Sequence, residues 1–209
     1  MTLSNLIDAL SAALDFTSNG ISEHHRRVAY LSVSIGRAMG LEREKLRTLY
    51  FAASLHDIGA IAFGEKEVLA RFEVNDSFPH CERGFAFLRD SELFAPIAPL
   101  LVAHHDRFGG DNRSGLAGEE IPLLARILHL ADRIDVLADR RGYVLAQRAE
   151  ILRRLEGEVG RLFDPQVFAA FREASAAESF WLDFSGQHLR VVPANFASAF
   201  EEQIGRAHV

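Results

Sequence analysis

The sequence has a single cysteine, Cys81, among its 209 residues, so an internal disulfide is excluded. No basic segment precedes an apolar stretch between Met1 and Asp15, which argues against a secretory signal peptide. No apolar run approaches the roughly 20 residues that a membrane-spanning helix requires. We therefore expect a cytoplasmic protein that does not insert into a membrane.

Positive charge is also scarce. Lys and Arg number 23 against 29 Asp and Glu, giving a formal net charge of −6. Binding to duplex nucleic acid depends on a basic surface that neutralises phosphates, so this balance argues against it. The chain also lacks a Gly-x-Ser-x-Gly elbow and a Walker loop. Cys81 could be proposed as a nucleophile, but we interpret it as a small buried packing residue.

Helical periodicity dominates the apolar pattern, and it predicts an all-α core. Hydrophobic residues make up 48% of the chain and charged residues 25%, which is typical of a folded globular protein. The predicted helices are Leu3–Phe16, Ser22–Met39, Glu42–Gly59, Glu65–Phe72, Pro79–Arg89, Pro96–His105, Pro122–Arg140, Val144–Phe163, one that Pro165 opens, and Asn195–Ile204. Between Glu178 and Val192, aromatic residues around Ser185-Gly186 predict a small hairpin or irregular packing.

Ionisable side chains lie on or beside the apolar faces of three predicted helices. His56 and Asp57 end one helix, His104 and His105 end another, and Asp132 lies within an apolar run. Burying an unpaired carboxylate costs several kcal/mol, so each acid must be neutralised, paired or bound to metal. A single histidine at a helix end is more often a capping residue than a ligand. His56 and Asp57 could form a local pair, and Asp132 could pair with Arg126, Arg133 or Arg140.

A metal centre explains these residues better when they are counted together. The chain has nine histidines, and imidazoles and carboxylates are the ligands of Zn, Fe and Mn. Seven candidate donors lie at helix ends or on inward faces: His24, His56, Asp57, His80, His104, His105 and Asp132. One cation needs only four to six, whereas seven suit two metals about 3.5–4 Å apart, the arrangement that activates a bridging water for phosphoryl transfer. Asp135, one turn after Asp132, is a candidate supporting residue.

An ordered series of motifs resembles the HD superfamily of metal-dependent phosphohydrolases, and more closely its HD-GYP branch. The matching residues are Ser54-Leu55-His56-Asp57-Ile58-Gly59, His80 with Gly84 and Leu88, His104-His105-Asp106, Gly115 to Ile127, Ala131 to Leu137, Arg141-Gly142-Tyr143 and Phe163-Asp164-Pro165. Upstream, His24 followed by Arg27-Val28-Ala29 resembles the family's first histidine. The resemblance covers about Glu23 to Phe171.

This resemblance implies a helical bundle around a metal centre, formed by residues 1–175, with residues 176–209 as an extension packed on it. It implies hydrolysis of cyclic di-GMP or a related nucleotide, and a signalling protein is a further candidate partner. Two divalent ions are implied, with iron or manganese expected and zinc as an alternative. His24, His56, Asp57 and Asp132 would hold one ion, and Asp57, as the catalytic bridge, would share the second with His80, His104 and His105. Arg141 would reach a substrate phosphate, unless it is a solvated surface residue.

Three departures from the family pattern bear on function. Ala60 stands where a phosphate-contacting lysine is expected. The loop signature Asp-Gly-x-Gly-Tyr-Pro is replaced by residues 109–114, which read Gly-Gly-Asp-Asn-Arg-Ser and retain only Gly110. Arg113 is a candidate substitute cation for substrate binding, with Lys66, Arg71 and Arg107 as others. An optional acidic ligand falls at Gly20, which favours two metals over three.

These features leave three functional hypotheses. The complete set of donors favours an active dinuclear phosphodiesterase. Ala60 and the altered loop instead favour a catalytically impaired module that senses a nucleotide or binds a signalling protein. The same changes are compatible with a phosphohydrolase of different specificity, acting on another nucleotide or a phosphomonoester.

Overall fold

A computed structural model describes residues 3–16, 23–60, 69, 71–72 and 78–186. Within these ranges the chain forms helices and no strand, apart from one isolated bridge between Val159 and Phe163. The helices are α1 (Leu3–Phe16), α2 (His24–Ala38), α3 (Arg43–Leu55), α4 (Phe78–Leu88), α5 (Ala98–Ala103), α6 (Leu123–Leu137), α7 (Val144–Glu156), α8 (Pro165–Ala174) and α9 (Glu178–Ser185), with a short 3₁₀ turn at Gly118–Glu120. The predicted all-α architecture is confirmed. None of these helices is both long and apolar enough to cross a membrane.

Helix α2 lies at the centre of the bundle. It packs against α1, α3, α6, α8 and α9, and α6 in turn contacts α3, α5, α7 and α8. Val28, Leu31 and Ile35 recur at helical spacing on α2 and are fully buried. Ile127, Leu130 and other apolar residues of α6 complete the same core. The two central helices therefore carry polar residues of the site on elements held rigidly by apolar packing.

Three predictions of secondary structure need correction. The predicted helix Val144–Phe163 ends at Glu156, and Gly160, with a φ of +85°, turns the chain between the bridged residues Val159 and Phe163. The helix predicted over 42–59 ends at Leu55, and the helix predicted over 96–105 ends at Ala103. These earlier ends place His56, Asp57, His104 and His105 in turns.

The hairpin expected after Glu178 is also wrong in its first half, because residues 178–185 form α9. Phe180, Trp181 and Phe184 lie on one helix face and are buried in the main core. The indole of Trp181 donates a hydrogen bond to the carbonyl of Ser175 at 2.9 Å. The boundary at residue 175 stays a prediction, and the expected Ser22 cap, most of helix 65–72 and helix 195–204 lie outside the described residues.

Candidate active site

The ends of several helices converge on one buried cluster of imidazoles and carboxylates. The cluster draws His24 from the first turn of α2, His56 and Asp57 from the turn after α3, His80 from the first turn of α4, His104 and His105 from the turn after α5, and Asp132 from the middle of α6. All seven candidate donors named from the sequence therefore meet in space. Each of the seven side chains is at most 10% exposed.

Asp57 lies between two groups of histidines. Its Oδ2 is 3.4 Å from Nε2 of His56 and 3.9 Å from Nε2 of His24. Its Oδ1 is 3.4 Å from Nε2 of His80 and 3.8 Å from Nε2 of His104. One carboxylate thus presents an oxygen to each group. In each of the groups His24–His56–Asp57 and Asp57–His80–His104–His105, the donor atoms lie within 4.8 Å of one another.

The spacing of the imidazole nitrogens matches that of ligands on a common ion. Nε2 of His24 and Nε2 of His56 are 3.3 Å apart, as are Nε2 of His80 and Nε2 of His104. Two nitrogens at about 2.1 Å from one ion are separated by roughly 3.0–3.4 Å for the angles of octahedral and tetrahedral coordination. Each pair therefore has the separation that one metal ion requires.

One carboxylate oxygen of Asp132 faces His24 and His56, and the other faces the guanidinium of Arg133. Its Oδ1 is 3.4 Å from Nε2 of His24 and 4.0 Å from Nε2 of His56. Its Oδ2 accepts hydrogen bonds from Arg133 at 2.5 Å and 3.1 Å. Of the three arginines considered as partners, Arg133 is thus the one that pairs with Asp132. Pairing with Arg133 and proximity to His24 and His56 use different oxygens, and the oxygen paired with Arg133 also lies 4.0 Å from Nδ1 of His105.

Backbone and side-chain acceptors fix the orientation of three of the rings. Nδ1 of His56 donates to the carbonyl of Ala53 at 2.9 Å, and Nδ1 of His104 donates to the carbonyl of Leu101 at 2.7 Å. Nδ1 of His24 bonds Asp135 at 2.6 Å. With Nδ1 engaged as a donor in each ring, Nε2 is the nitrogen left to face the cluster. This is the arrangement in which a metal-binding histidine is held by its neighbours.

Two buried atoms of the cluster have no hydrogen-bond partner, namely Oδ1 of Asp57 and Nε2 of His105. Leaving such a buried polar atom unsatisfied costs about 1–3 kcal/mol, so native proteins rarely do so without a reason. A divalent cation between Asp57 and the second group of histidines would satisfy both atoms. The donor set consists of five imidazoles and two carboxylates, and these ligand types suit Fe, Mn and Zn.

The charges of the cluster shift its pKa values in opposite directions. Burial lowers the pKa of His24, but its bond to Asp135 and the nearby charges of Asp135, Asp132 and Asp57 outweigh burial and raise it to about 9. Burial lowers the pKa of His56 to about 3. Burial would raise the pKa of Asp57, yet the surrounding imidazoles hold it well below its usual range. Both the neutral imidazole of His56 and the anionic carboxylate of Asp57 are the forms that bind metal.

Cys81 lies against the second group but is not open to substrate. It is 1% exposed, and its Sγ is 3.6 Å from Nε2 of His80 and 3.7 Å from Nδ1 of His104. Burial raises the pKa of the Cys81 thiol, and the two imidazoles outweigh that effect and lower it to about 7. Its burial supports the interpretation of Cys81 as a packing residue.

The two arginines predicted to bind substrate are exposed and lie outside the cluster. The guanidinium of Arg113 lies 4.6 Å from the centre of the Phe78 ring, and the backbone N–H of Arg141 donates to Asp139 at 2.9 Å. Among the described residues, neither side chain forms a hydrogen bond or ion pair with a candidate metal ligand. Ala60, where a lysine is expected, is buried and only 4% exposed.

The altered loop is closed by the side chains that replace the usual signature. Oδ1 of Asn112 accepts from the N–H of Arg107, and its Nδ2 donates to the carbonyls of Arg107 and Leu116, all at 2.8 Å. The hydroxyl of Ser114 donates to Asp106 at 2.6 Å. The loop therefore has its own network of hydrogen bonds beside the two adjacent histidines.

Sequence reasoning missed two further buried histidines. Nδ1 of His25 bonds Asp15 of α1 at 2.5 Å, and Nδ1 of His129 bonds the carbonyl of Asp106 at 3.0 Å. The ring of His25 lies 5.0 Å from that of His56 between centroids. His25 directly follows His24, and His129 lies in the same apolar run as Asp132, so their positions were the available signals. Asp135, suggested as a supporting residue, lies behind His24 as described above.

Comparison with known proteins agrees with this geometry. The sequence model described as "HD domain" matches residues 21–137. The cyclic di-GMP phosphodiesterase response regulator RpfG of Xanthomonas campestris pv. campestris is 32% identical over 81% of this chain and 47% of that protein. A cyclic di-GMP phosphodiesterase of Thermotoga maritima is 30% identical over 81% of this chain and 48% of that protein. The chain thus spans about half the length of these curated relatives.

A solved structure shares the fold. The crystal structure of a cyclic GMP-AMP specific phosphodiesterase of Vibrio cholerae aligns with 99% of this chain and 58% of that one, with a TM-score of 0.74 and 21% identity. The family match covers more than half of the chain, and the matched residues include all seven donors, from His24 to Asp132. The chain belongs to the HD domain family.

Proposed function

We propose that this chain is a dinuclear metal-dependent phosphodiesterase that hydrolyses cyclic di-GMP or a related cyclic dinucleotide. The observation that carries the proposal is that Asp57 presents one oxygen to each of two groups of imidazoles. The names of the relatives in Xanthomonas and Thermotoga support cyclic di-GMP as the substrate. A Vibrio cholerae relative named as specific for 3'3'-cGAMP makes the mixed cyclic dinucleotide a second substrate to test.

The donors divide between two ions as the geometry suggests. His24, His56, Asp57 and Asp132 hold the first ion, and Asp57, His80, His104 and His105 hold the second; iron or manganese is expected, and zinc is the alternative. When bound, such a pair supplies an activated water and neutralises charge on a phosphoryl group. Asp57 is the catalytic residue that keeps the two sites in register. Hydrogen bonds at Nδ1 hold the rings of His24, His56 and His104 in fixed orientations, so these side chains need not rotate when a metal ion binds.

Substrate binding is assigned to two exposed arginines outside the cluster. Arg113, stacked on Phe78, offers a planar cation that could pair with a phosphate or stack on a purine. The backbone N–H of Arg141 is engaged by Asp139, and among the described residues its guanidinium has no hydrogen bond or ion pair that would keep it from turning toward a phosphate. A cytoplasmic location, a signalling partner and the separate extension from residue 176 belong to the same proposal.

A second candidate function is a nucleotide-sensing or partner-binding module with impaired catalysis. Ala60 favours it, because this buried methyl group cannot provide the cation expected at that position. In that case the site would bind metals and a dinucleotide with little turnover. The two functions make the same prediction for metal content and opposite predictions for hydrolysis.

Turnover assays distinguish these functions. The purified chain, loaded with Mn²⁺ or Fe²⁺, is tested on cyclic di-GMP, 3'3'-cGAMP, a generic phosphodiester and a generic phosphomonoester. Phosphodiesterase activity lost in Asp57→Asn and retained in Asp164→Asn supports the proposal, since Asp164 is a buried acid paired with Arg126 outside the cluster. Dinucleotide binding without turnover supports the sensing module. Turnover of the monoester alone supports a phosphohydrolase of another specificity.

Arg113→Ala and Arg141→Ala test the substrate side. Loss of a phosphate contact should raise KM for the dinucleotide by about 10-fold, as expected for an interaction of about 1.4 kcal/mol. Metal content should not change, because neither guanidinium contacts a ligand. Unchanged kinetics in both variants would remove these arginines from the substrate site.

A further inference from the structure

Arg133 is a buried cation that joins two parts of the site. It is 2% exposed, yet its guanidinium is engaged on every side. Nε and Nη2 donate to Oδ2 of Asp132, Nη2 also donates to the carbonyl of Leu69 at 3.1 Å, and Nη1 donates to the carbonyl of Phe72 at 3.3 Å. Nη1 donates to the carbonyl of Arg71 as well.

The carbonyls of residues 69, 71 and 72 come from the segment between α3 and α4, more than 60 residues away from Arg133 in sequence. Three neutral carbonyls cannot offset a buried positive charge by themselves. Asp132 supplies the compensating negative charge, and it does so with the oxygen that faces away from His24 and His56. The same contact therefore neutralises Arg133 and decides which oxygen Asp132 presents to the first group of histidines.

We infer that Arg133 is a positioning residue that orients Asp132 toward the first metal ion and couples that site to the backbone of residues 69, 71 and 72. The inference rests on the proposed function, because it takes Asp132 as a metal ligand. A carboxylate oxygen that accepts two N–H bonds from one guanidinium is restricted in its rotation, and this lowers the entropy cost of ordering Asp132 when an ion arrives. Removal of Arg133 would leave Asp132 free to rotate in a buried site.

The coupling must run in both directions. If Arg133 holds Asp132 and the carbonyls of residues 69, 71 and 72 together, then an ion that fixes Asp132 also restrains those three residues. Substitution of Arg133 should break this link. Lysine is not an equivalent replacement, since a single ammonium cannot donate two hydrogen bonds to the carboxylate and also reach three carbonyls.

Arg126 provides a matched control on the same helix. It also pairs with a buried acid, Asp164, and donates to a backbone carbonyl, that of Ile121 at 2.9 Å. Its side chain is 12% exposed, and no contact links it to the cluster within the described residues. Arg126→Gln therefore removes a comparable ion pair from α6 without touching the candidate metal site.

The experiment measures Mn²⁺ binding and amide hydrogen exchange in the wild type, Arg133→Gln, Arg133→Lys and Arg126→Gln. We expect Arg133→Gln to weaken the first site by about 10- to 100-fold, as is typical when a residue that supports a metal ligand is lost. The second site should change little. Mn²⁺ should slow amide exchange at residues 69, 71 and 72 in the wild type and in Arg126→Gln but not in Arg133→Gln. Arg133→Lys should restore part of the affinity without restoring that protection.

The possible failures are distinct. If the wild type binds no metal, the proposed function fails and the inference fails with it. If Arg133→Gln binds two ions as tightly as Arg126→Gln, the proposed function stands and the positioning role is refuted. If affinity falls but metal-dependent protection of residues 69, 71 and 72 persists, the coupling to the backbone is refuted.

Discussion

Nδ1 of His24 lies 2.6 Å from Oδ2 of Asp135, on the opposite side of the ring from the Nε2 that faces Asp132. The same carboxylate accepts a bond from Nε of Arg27 at 2.7 Å and one from Nη2 of Arg140 at 2.6 Å. Two arginines thus balance the buried charge of Asp135, and Asp135 in turn fixes the ring of His24. In the proposed first metal site, the orientation of His24 therefore depends on the contacts of Asp135.

Asp135→Asn is expected to weaken the first metal site by about 10- to 100-fold and to leave the second nearly unchanged, because the amide still occupies the space but no longer polarises His24. Metal titration monitored at both sites checks this. The fold should also lose stability, since Arg27 and Arg140 lose a charged partner. Asp164→Asn, which removes a buried acid paired with Arg126, should lose stability without losing metal affinity. Equal loss of affinity in the two variants would contradict the specific role of Asp135.

Asp57→Ala and His105→Ala should empty the sites differently. Asp57 faces both groups of histidines, so its loss should abolish binding of both ions. His105 belongs only to the second group, and its variant should retain the first ion. Metal analysis of the purified variants, with anomalous scattering to place the ions, measures both results. Two ions in Asp57→Ala would refute the shared bridge, and loss of both ions in His105→Ala would refute the division of ligands.

Metal binding should become stronger as pH rises toward 9. In the metal-free protein the charge of Asp135 raises the pKa of His24 from 6.5 to about 9, so an ion must displace a proton from Nε2 near neutral pH. The raised pKa stabilises the metal-free fold below about pH 6.5, and this contribution is lost as the pH rises to 9. Calorimetry of Mn²⁺ binding at pH 7.5 in two buffers of different ionisation enthalpy counts the protons released. Identical heats in both buffers would show that His24 holds no displaceable proton.

A chelator should lower the melting temperature. An ion present at 100 times its Kd stabilises the fold by about 2.7 kcal/mol, which for a chain of this size corresponds to a shift of roughly 5–11 °C. Scanning calorimetry with and without chelator measures this shift. Asp57→Ala is the control, because a chain that cannot bind metal should melt at the same temperature in both conditions. A chelator effect of equal size in Asp57→Ala would mean that the stabilising ions bind elsewhere.

Gly59→Ala should disturb the second metal site through the backbone. A Cβ at Gly59 would lie 2.0 Å from the carbonyl oxygen of His80 and 2.6 Å from the nitrogen of Gly84, so α4 must move. We expect a loss of stability of about 3 kcal/mol or more together with weaker metal binding at His80. A Cβ at Gly84 would meet side-chain atoms of Leu101 and Ile58 at 3.2 Å and 3.6 Å and the backbone nitrogen of Gly59 at an ordinary 3.8 Å, so Gly84→Ala should change stability by about 1 kcal/mol or less. Thermal unfolding and metal titration of both variants compare the two positions, and equal effects would contradict the close approach at Gly59.

Much of the fold could be predicted because it is encoded by local periodicity. The bounds predicted for α1 are those found, since Leu3–Phe16 carries an unbroken apolar stripe. Helix α9 was missed because its aromatic residues favour strands as readily as helices, and its helical face becomes apparent only when Phe180, Trp181 and Phe184 pack into the core. The ends at Leu55 and Ala103 were misplaced because the following histidines continue the helical pattern.

The sequence by itself determined the residue types of the site and their order along the chain, because histidines and acids beside apolar stripes must be paired or bound to metal when they are buried. Only the tertiary structure decided which atom faces which. It gave Asp57 one oxygen for each group, turned Oδ2 of Asp132 toward Arg133, and placed Asp135 behind His24. These relationships join residues that lie far apart in sequence or depend on side-chain rotamers, and burial and hydrogen-bond satisfaction fix them only after the helices have packed.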